Sequence, residues 1–382
     1  MAYEPPSDCE LVDYGDATVL PGLIDTHVHL VADSGVMGLE RAAGYSSEEI
    51  EAVVSEALAS HLAAGVTTVR DLGDRHFTVV ARRDAQRQVD DGLPWIVASG
   101  PPITTPGGHC GFLGGEVSGA DEIVAAVRER VERQVDVIKV MASGGANTVG
   151  SDMAVPQFSI EELRLLVEHA QAAGLPVTAH AHAAAAVDQA VAVGVQGIEH
   201  AGYLVPRANG AGPVGLVGLP DIHATDAQLS ALAASGIPVC PTTGGSFVAP
   251  PPHVEKMLAD AGITREQVLE KRTSLLRRMV SHGVRLVCGA DAGIGPSKAH
   301  GRYADAVIEL GQVTGTVPAL VAGSSGAAAS IGLSQSKGHL CPGYDADVLV
   351  VGGDLAADLT ALWDVRQVML RGVPVRPRSR QS

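Results

Sequence analysis

The chain has 382 residues, enough for one large domain with a small appendage or for two domains. Its 43 acidic residues against 27 basic ones leave a formal charge of −16. With no basic run to offset that charge, a nucleic-acid backbone or an anionic membrane is excluded as a partner. The five cysteines, Cys9, Cys110, Cys240, Cys288 and Cys341, form no C-x-x-C pair, and their odd number and wide spacing argue against a disulfide framework. The start, MAYEPPSDCE, lacks the basic flank and apolar stretch of a signal peptide, and no uncharged apolar run reaches membrane length. A reducing, cytoplasmic setting is expected. Apolar residues make up 46% of the chain and aromatics only 3%, so the core must be built from Val, Leu, Ile and Ala, as in α/β interiors.

Taken in chain order, eight short apolar runs recur: VLPGLIDTHV, GVTTVRDL, LPWIVASG, VDVIKVMA, LPVTAHA, GIEHAG, GIPVCPTT and GVRLVCGAD. Helical spacing separates most of them. Ser46 with Glu49 and Ser159 with Glu162 match the capping box, in which a hydroxyl and a carboxylate satisfy the orphan amides of a helix start. The helical segments close on Gly65, Gly174, Gly194, Gly236 and Gly283, residues suited to a helix C-terminus. Eight strand-helix units in a row, without a Gly-rich phosphate turn after the first strand, predict an α/β fold of the (β/α)8 TIM-barrel type over residues 20–337. PPITTPGGHCGFLGGEVSG, after the third strand, is a long Gly/Pro loop of the kind that carries function. Beyond the eighth unit, HGRYADAVIELGQ and VPALVAGSSGAAASIG read as further helices. HLCPGYDADVLVVGGD and VRQVMLRGVPV then read as strands of a small β-sandwich-like unit, built from residues 1–19 and 338–375. Residues 376–382 read as a disordered tail.

The polar residues at the strand ends are anomalous, because inward barrel positions are normally apolar and chemistry sits at the C-terminal rim. Strand one ends in His27 and His29, strand four carries Lys139, strand five ends in His180 with His182 beyond, strand six ends in His200, and strand eight ends in Asp291. Residues i and i+2 of a strand share a face, so His27 and His29 can reach one centre, and their imidazoles suit zinc or a similar ion. An H-x-H alone is common on surface strands; four histidines and an aspartate at one rim are not. Lys139 in VDVIKVM is apolar on both sides. Either its head snorkels to the rim or pairs with Asp291, or low polarity keeps the amine neutral so that carbon dioxide converts it to a metal-bridging carbamate.

PGLIDTHVHL, IKVMASGG, VTAHAHAAAAV, GIEHAG and GADAG, in that order, resemble the binuclear amidohydrolases. The likeness is to the imidazolonepropionase-like branch that includes Xaa-Pro and related metal-dependent dipeptidases, and it runs from residue 18 to residue 373. The resemblance implies two divalent metal ions, with zinc the default and manganese, cobalt or iron compatible with the same donors. His27, His29 and Asp291 would hold the first ion and His180 and His200 the second, with carboxylated Lys139 between them. His182 is then assigned to substrate. By the same resemblance His109 in PGGHC would polarise the scissile carbonyl, and Tyr203, three residues past His200, would touch substrate; a loop histidine bonded to its own backbone and a tyrosine packed under the loop are the plainer alternatives. His300 is left without a role. The short N-terminal segment departs from the family pattern.

The implied activity is hydrolysis of an amide bond of a small substrate, such as a dipeptide or an N-acyl amino acid, by a hydroxide held between the ions. Asp291 would move the proton and His109 would stabilise the oxyanion. Lactone, carbamate or phosphotriester hydrolysis uses the same rim and stays open, as does a mononuclear deaminase, although Lys139 argues against the last. A non-catalytic barrel is disfavoured because every ligand position is filled, and no G-x-S-x-G, P-loop or H-E-x-x-H is present. The expected partner is a small molecule, with a homo-oligomer compatible. The pocket depends on the loops after strands three, six, seven and eight, including PTTGGSFVAPPPH, whose shape the residues alone do not specify.

Overall fold

The computed structural model describes residues 9–146, 148, 150–206, 221–250, 252–260 and 262–375. The expected tail at 376–382 and residues 1–8 of the N-terminal segment lie outside the described residues. Strand β1 (Ala17–Pro21) precedes the barrel, which begins with β2 (Leu23–Val28), a short α1 (Gly38–Arg41) and α2 (Ser47–Ala63). Then follow β3 (Val66–Asp71), α3 (Thr78–Gln88), β4 (Trp95–Ala98), α4 (Gly119–Glu132), β5 (Ile138–Met141) and α5 (Ile160–Ala172). The next units are β6 (Val177–Ala183) with α6 (Ala184–Val193), and β7 (Gly197–Val205) with the two-residue β8 (Asp221–Ile222) and α7 (Asp226–Ser235). After β9 (Val239–Cys240) come α8 (Pro252–Asp260) and α9 (Arg265–Ser281).

Helix starts follow local chemistry. Both expected capping boxes form, and Thr225 with Gln228 and Thr264 with Gln267 form two more. Each such cap stabilises its helix by about 1 kcal/mol. Helices α3 and α4 lack that signal: Phe77 precedes α3 in a left-handed conformation, and Ser118 before α4 makes no side-chain cap.

Parallel pairing joins β2, β3 and β4, and separately β5, β6, β7 and β9. Single bridges close the two arcs into a barrel. Ile103 pairs with Val140 on one side, and Asp136 N–H donates to Ala98 O at 2.9 Å. On the other side the eighth barrel segment, residues 284–292, forms no continuous ladder. It meets β9 through Val239 and Leu286 and meets β2 through Val28 and Ala292. Side chains supplement the backbone bonds that remain, among them Val287 N to Val239 O at 2.9 Å and Asp291 N to His27 O at 2.8 Å. Asp25 Oδ1 accepts from Ala290 N at 3.0 Å, Thr26 Oγ1 donates to Cys288 O at 2.9 Å, and the buried Tyr303 hydroxyl lies 2.6 Å from Ile24 O and 3.1 Å from Cys288 O. Gly289 is required there, because a Cβ would stand 2.6 Å from Cys240 Sγ and 2.9 Å from His27 Cβ.

Three further helices follow the eighth segment, α10 (Tyr303–Thr314), α11 (Thr316–Ala322) and α12 (Ser325–Ser330); the second of the two expected helical segments is divided at Gly323 and Ser324. Ile24 packs outward onto Ala327 and Ala328 of α12, so Asp25 and His27, one and three residues further along the strand, face inward. The terminal segments form one antiparallel sheet in the order β1, β10 (Val348–Gly352), β11 (Val365–Leu370), β12 (Val373–Val375). Buried Leu349 seats this sheet on the turn after α2, where a Cβ on Gly65 would come within 2.7 Å of it. No helix among the described residues is long and apolar enough to cross a membrane.

Tyr303→Phe leaves two buried carbonyls at the barrel seam without their hydroxyl partner. It should lower unfolding free energy by about 1–3 kcal/mol in urea titration, and no loss would mean that the seam is held elsewhere.

Candidate active site

The barrel interior below the rim is polar. Arg70 of β3 donates through Nε to Thr26 O at 2.7 Å and through Nη2 to Glu199 Oε1 of β7 at 2.7 Å; Thr178 Oγ1 donates to the same oxygen at 2.6 Å. Glu199 Oε2 lies 2.8 Å from His27 Nδ1. Burial alone would raise the Glu199 carboxyl, but Arg70 and then His27 reverse this and hold it well below the usual carboxylate range. An ionised carboxylate only accepts, so Nδ1 of His27 carries the proton and Nε2 presents a lone pair upward.

At the rim, Asp291 Oδ1 stands 3.3 Å from His27 Nε2 and 3.2 Å from His29 Nε2. His180, His182 and His200 form a second group, with ring centroids 4.6 Å apart for His180 and His200 and 4.3 Å for the stacked His182 and His200. In each trio the candidate ligand atoms lie within 4.8 Å of one another. His180 Nε2 donates to Gly144 O at 3.1 Å, leaving Nδ1 as its lone-pair atom. Burial pushes His27 down to about 4 and His182 to about 3, and pushes His180 and His200 well below the ordinary value, so these rings are neutral near pH 7. Lys139 is buried beneath them, its Nζ without a hydrogen-bond partner among the described residues, and burial lowers its pKa.

Strict strand alternation would send Glu199 and His200 to opposite faces. They share the interior because His200 and Ala201 adopt φ of 70° and 46°, and the pairing of β6 with β7 slips between Ala181 and Ala183. Asp291 too is left-handed, with φ 59°. Bulges and such conformations re-aim side chains next to functional sites.

Above the rim opens a cavity of about 950 Å³, lined by His27, His29, His109, His180, His182, His200 and Asp291. His109 is held by Thr148, whose Oγ1 lies 2.9 Å from Nδ1, and by the close approach of Gly145, where a Cβ would fall 2.3 Å from Nε2. Tyr203 does not line this cavity. The expectation that it touches substrate is corrected: Gly202 and Leu204 face the cavity, while Tyr203 is buried in the core, its hydroxyl without a hydrogen-bond partner among the described residues. The slip that turns His200 inward sends Tyr203 outward. His300 lies behind the rim, 3.0 Å from His61 Nε2 and donating to Ala32 O at 2.9 Å.

Glu199 and Arg70 were missed in the sequence, although each stands in an apolar strand run and is as anomalous there as Lys139. Arg272 and Lys298 reach the cavity from α9 and from the loop after the eighth segment, and nothing in the sequence marks them.

Comparison with known proteins places this barrel among hydrolytic enzymes. A family profile described as the amidohydrolase family matches residues 18–375, and the chain belongs to that family. It is 24% identical to ochratoxinase from Aspergillus niger over 385 aligned positions, covering 92% of this chain and 73% of that one. A Xaa-Pro dipeptidase with bound methionine superposes with a TM-score of 0.80 at 25% identity, covering 98% of this chain and 91% of that one. A prolidase complexed with N-methylphosphonate-L-proline gives 0.78 at 25%, covering 99% and 91%. The resemblance read from the motifs is thereby borne out.

Glu199→Ala leaves the Arg70 guanidinium buried without its counter-charge and should cost about 3–5 kcal/mol in chemical unfolding. Glu199→Gln, which keeps the shape, should cost less; equal and small losses for both would remove the charge chain from the stability of the barrel.

Proposed function

We propose that the rim holds two divalent metal ions and that the enzyme hydrolyses an amide bond of a small substrate such as a dipeptide or an N-acyl amino acid. One observation carries the reading: with Nδ1 of His27 committed to Glu199, Nε2 and the Asp291 carboxylate are both electron-pair donors 3.3 Å apart. Such a pair repels unless a cation lies between them. His29 converges on the same oxygen. In this reading His27, His29 and Asp291 would hold one ion and His180 and His200 the other, and Lys139, whose pKa burial lowers, would add a ligand as its carbamate. His182 faces the substrate from within the second trio. Zinc suits these donors, and manganese, cobalt or iron are compatible with them.

Bound there, two ions supply Lewis acidity and lower the pKa of water toward neutrality. The Asp291 carboxylate takes the proton of the attacking water and delivers it to the leaving nitrogen. The neutral His109 ring, pushed down to about 3 chiefly by burial, donates to the carbonyl oxygen as negative charge develops on it. The family and the names of ochratoxinase and the prolidase support an amide-type bond.

Metal analysis of the purified protein, followed by a screen of dipeptides and N-acyl amino acids, tests the reading. About two ions per chain and release of free amino acid are expected; cleavage of lactones, carbamates or phosphotriesters alone would turn the assignment to those bonds. Asp291→Asn should keep much of the metal while losing about 10²- to 10⁴-fold in kcat, and full activity in it would remove the proton-transfer role. His180→Ala should bind one ion fewer by elemental analysis; unchanged content would point to His182 as the ligand instead.

A further inference from the structure

Three basic side chains line the cavity: Lys271, Arg272 and Lys298. Two of them are occupied. The three protons of Lys298 Nζ match three carbonyls, Thr242 O at 2.5 Å, Ala290 O at 2.8 Å and Thr243 O at 3.2 Å. Lys271 is exposed and donates to Asp221 at 3.1 Å.

Arg272 differs. Its Nη2 donates to Pro241 O and to Thr242 O, both at 2.6 Å, which pins the guanidinium over the end of β9. Its Nε and Nη1 carry three more N–H groups, and among the described residues no protein acceptor is recorded for them and no carboxylate lies within 4 Å of the guanidinium. Glu309 interacts with this charge through space but leaves those N–H groups free: its Oε2 accepts from Gly244 N and Ser246 Oγ, each at 2.7 Å, and from Ser246 N at 3.3 Å. A half-buried guanidinium with spare donors therefore faces the open cavity of about 950 Å³.

Its position relative to the rim is equally specific. Thr242, whose carbonyl it grips, contacts His200 Nδ1 through Oγ1 at 2.9 Å, so the charge stands one residue from a candidate metal ligand. Along α9, Val268, Arg272, Leu275 and Leu276 recur at helical spacing on one face, and all four line the cavity. That face therefore offers a cationic group set among apolar ones.

We propose that Arg272 is the receptor for a substrate carboxylate. The N–H groups not used on Pro241 and Thr242 bind the free α-carboxylate of the amino acid on the leaving side of the scissile amide, and the neighbouring apolar face of α9 takes its side chain. A planar guanidinium held by two backbone carbonyls is already oriented, so little ordering is needed on binding. The inference rests on the amide-hydrolase reading above.

Acetate release from N-acetyl-L-leucine and from N-acetyl-L-leucinamide, compared as a ratio of kcat/KM, tests it in the metal-loaded enzyme. The wild type should favour the carboxylate by about 10- to 100-fold, the range of hydrogen bonds to a charged group. The ratio should collapse toward one in Arg272→Met and recover in part in Arg272→Lys. A ratio near one in the wild type, or an unchanged ratio in Arg272→Met, overturns the proposal; should the methionine variant not fold, the wild-type ratio and the lysine variant decide. If the wild type cleaves neither compound nor any dipeptide or N-acyl amino acid of the screen, the amide-hydrolase reading fails. Calorimetric binding of the same two compounds then judges Arg272 separately: tighter binding of the carboxylate, lost in Arg272→Met, supports it, and equal or absent binding overturns it.

Discussion

The charge chain from Arg70 through Glu199 to His27 is the interaction on which the rest of the site depends. Buried ions are costly, and this carboxylate is tolerable because each of its oxygens has a partner: Glu199 receives Arg70 and Thr178 on one oxygen and His27 on the other. The chain crosses the barrel from β3 to β7 and ends at β2, so it ties three strands together at the level just below the rim. Its upper end selects the tautomer of His27. Without an ionised Glu199, either nitrogen of that ring could carry the proton, and the lone pair aimed at Asp291 would not be assured.

Above this floor the site is made by departures from regular strand geometry. The eighth barrel segment is held by side chains and isolated bridges rather than by a ladder, and Asp291 at its end is left-handed. The slip between β6 and β7 places Glu199 and His200, neighbours in the chain, on the same side of the sheet. One residue then serves the buried charge chain and the next serves the rim. Regular pleating would have placed one of them in the helical layer, where neither charge nor lone pair would find a partner. Strain in the backbone of β7 is thus what lets floor and rim be built from one strand.

The loops add the substrate side. Arg272 from α9 and Lys298 from the loop after the eighth segment bond to the carbonyls of residues 241–243, and Thr242 passes that restraint to His200. The same contacts that steady a candidate ligand therefore shape the wall facing it. The cavity is mixed in character, with histidines and a carboxylate at its base and the apolar face of α9 along its side, as a pocket must be to hold an organic molecule over polar chemistry.

Much of this was legible in the order of residues. Alternating apolar runs and helix signals determine the eight units, since hydrophobic period and capping chemistry are local, and PGLIDTHVHL places His27 and His29 on one face because strand side chains repeat every two residues. Lys139 stood out for the same reason that Glu199 and Arg70 should have: a charge in an apolar strand needs a partner. The tertiary structure alone decided which partner, and it also decided that Tyr203 turns away from the cavity while His200 turns in. A positive φ and a slipped register leave no mark in composition or period, and they reverse the face of every residue that follows. Arg272 and Lys298 were equally invisible, because a basic residue on a helix or in a loop is ordinarily a solvated one. Only the folding of α9 and of the loop after the eighth segment against the end of β9 brings them to the cavity.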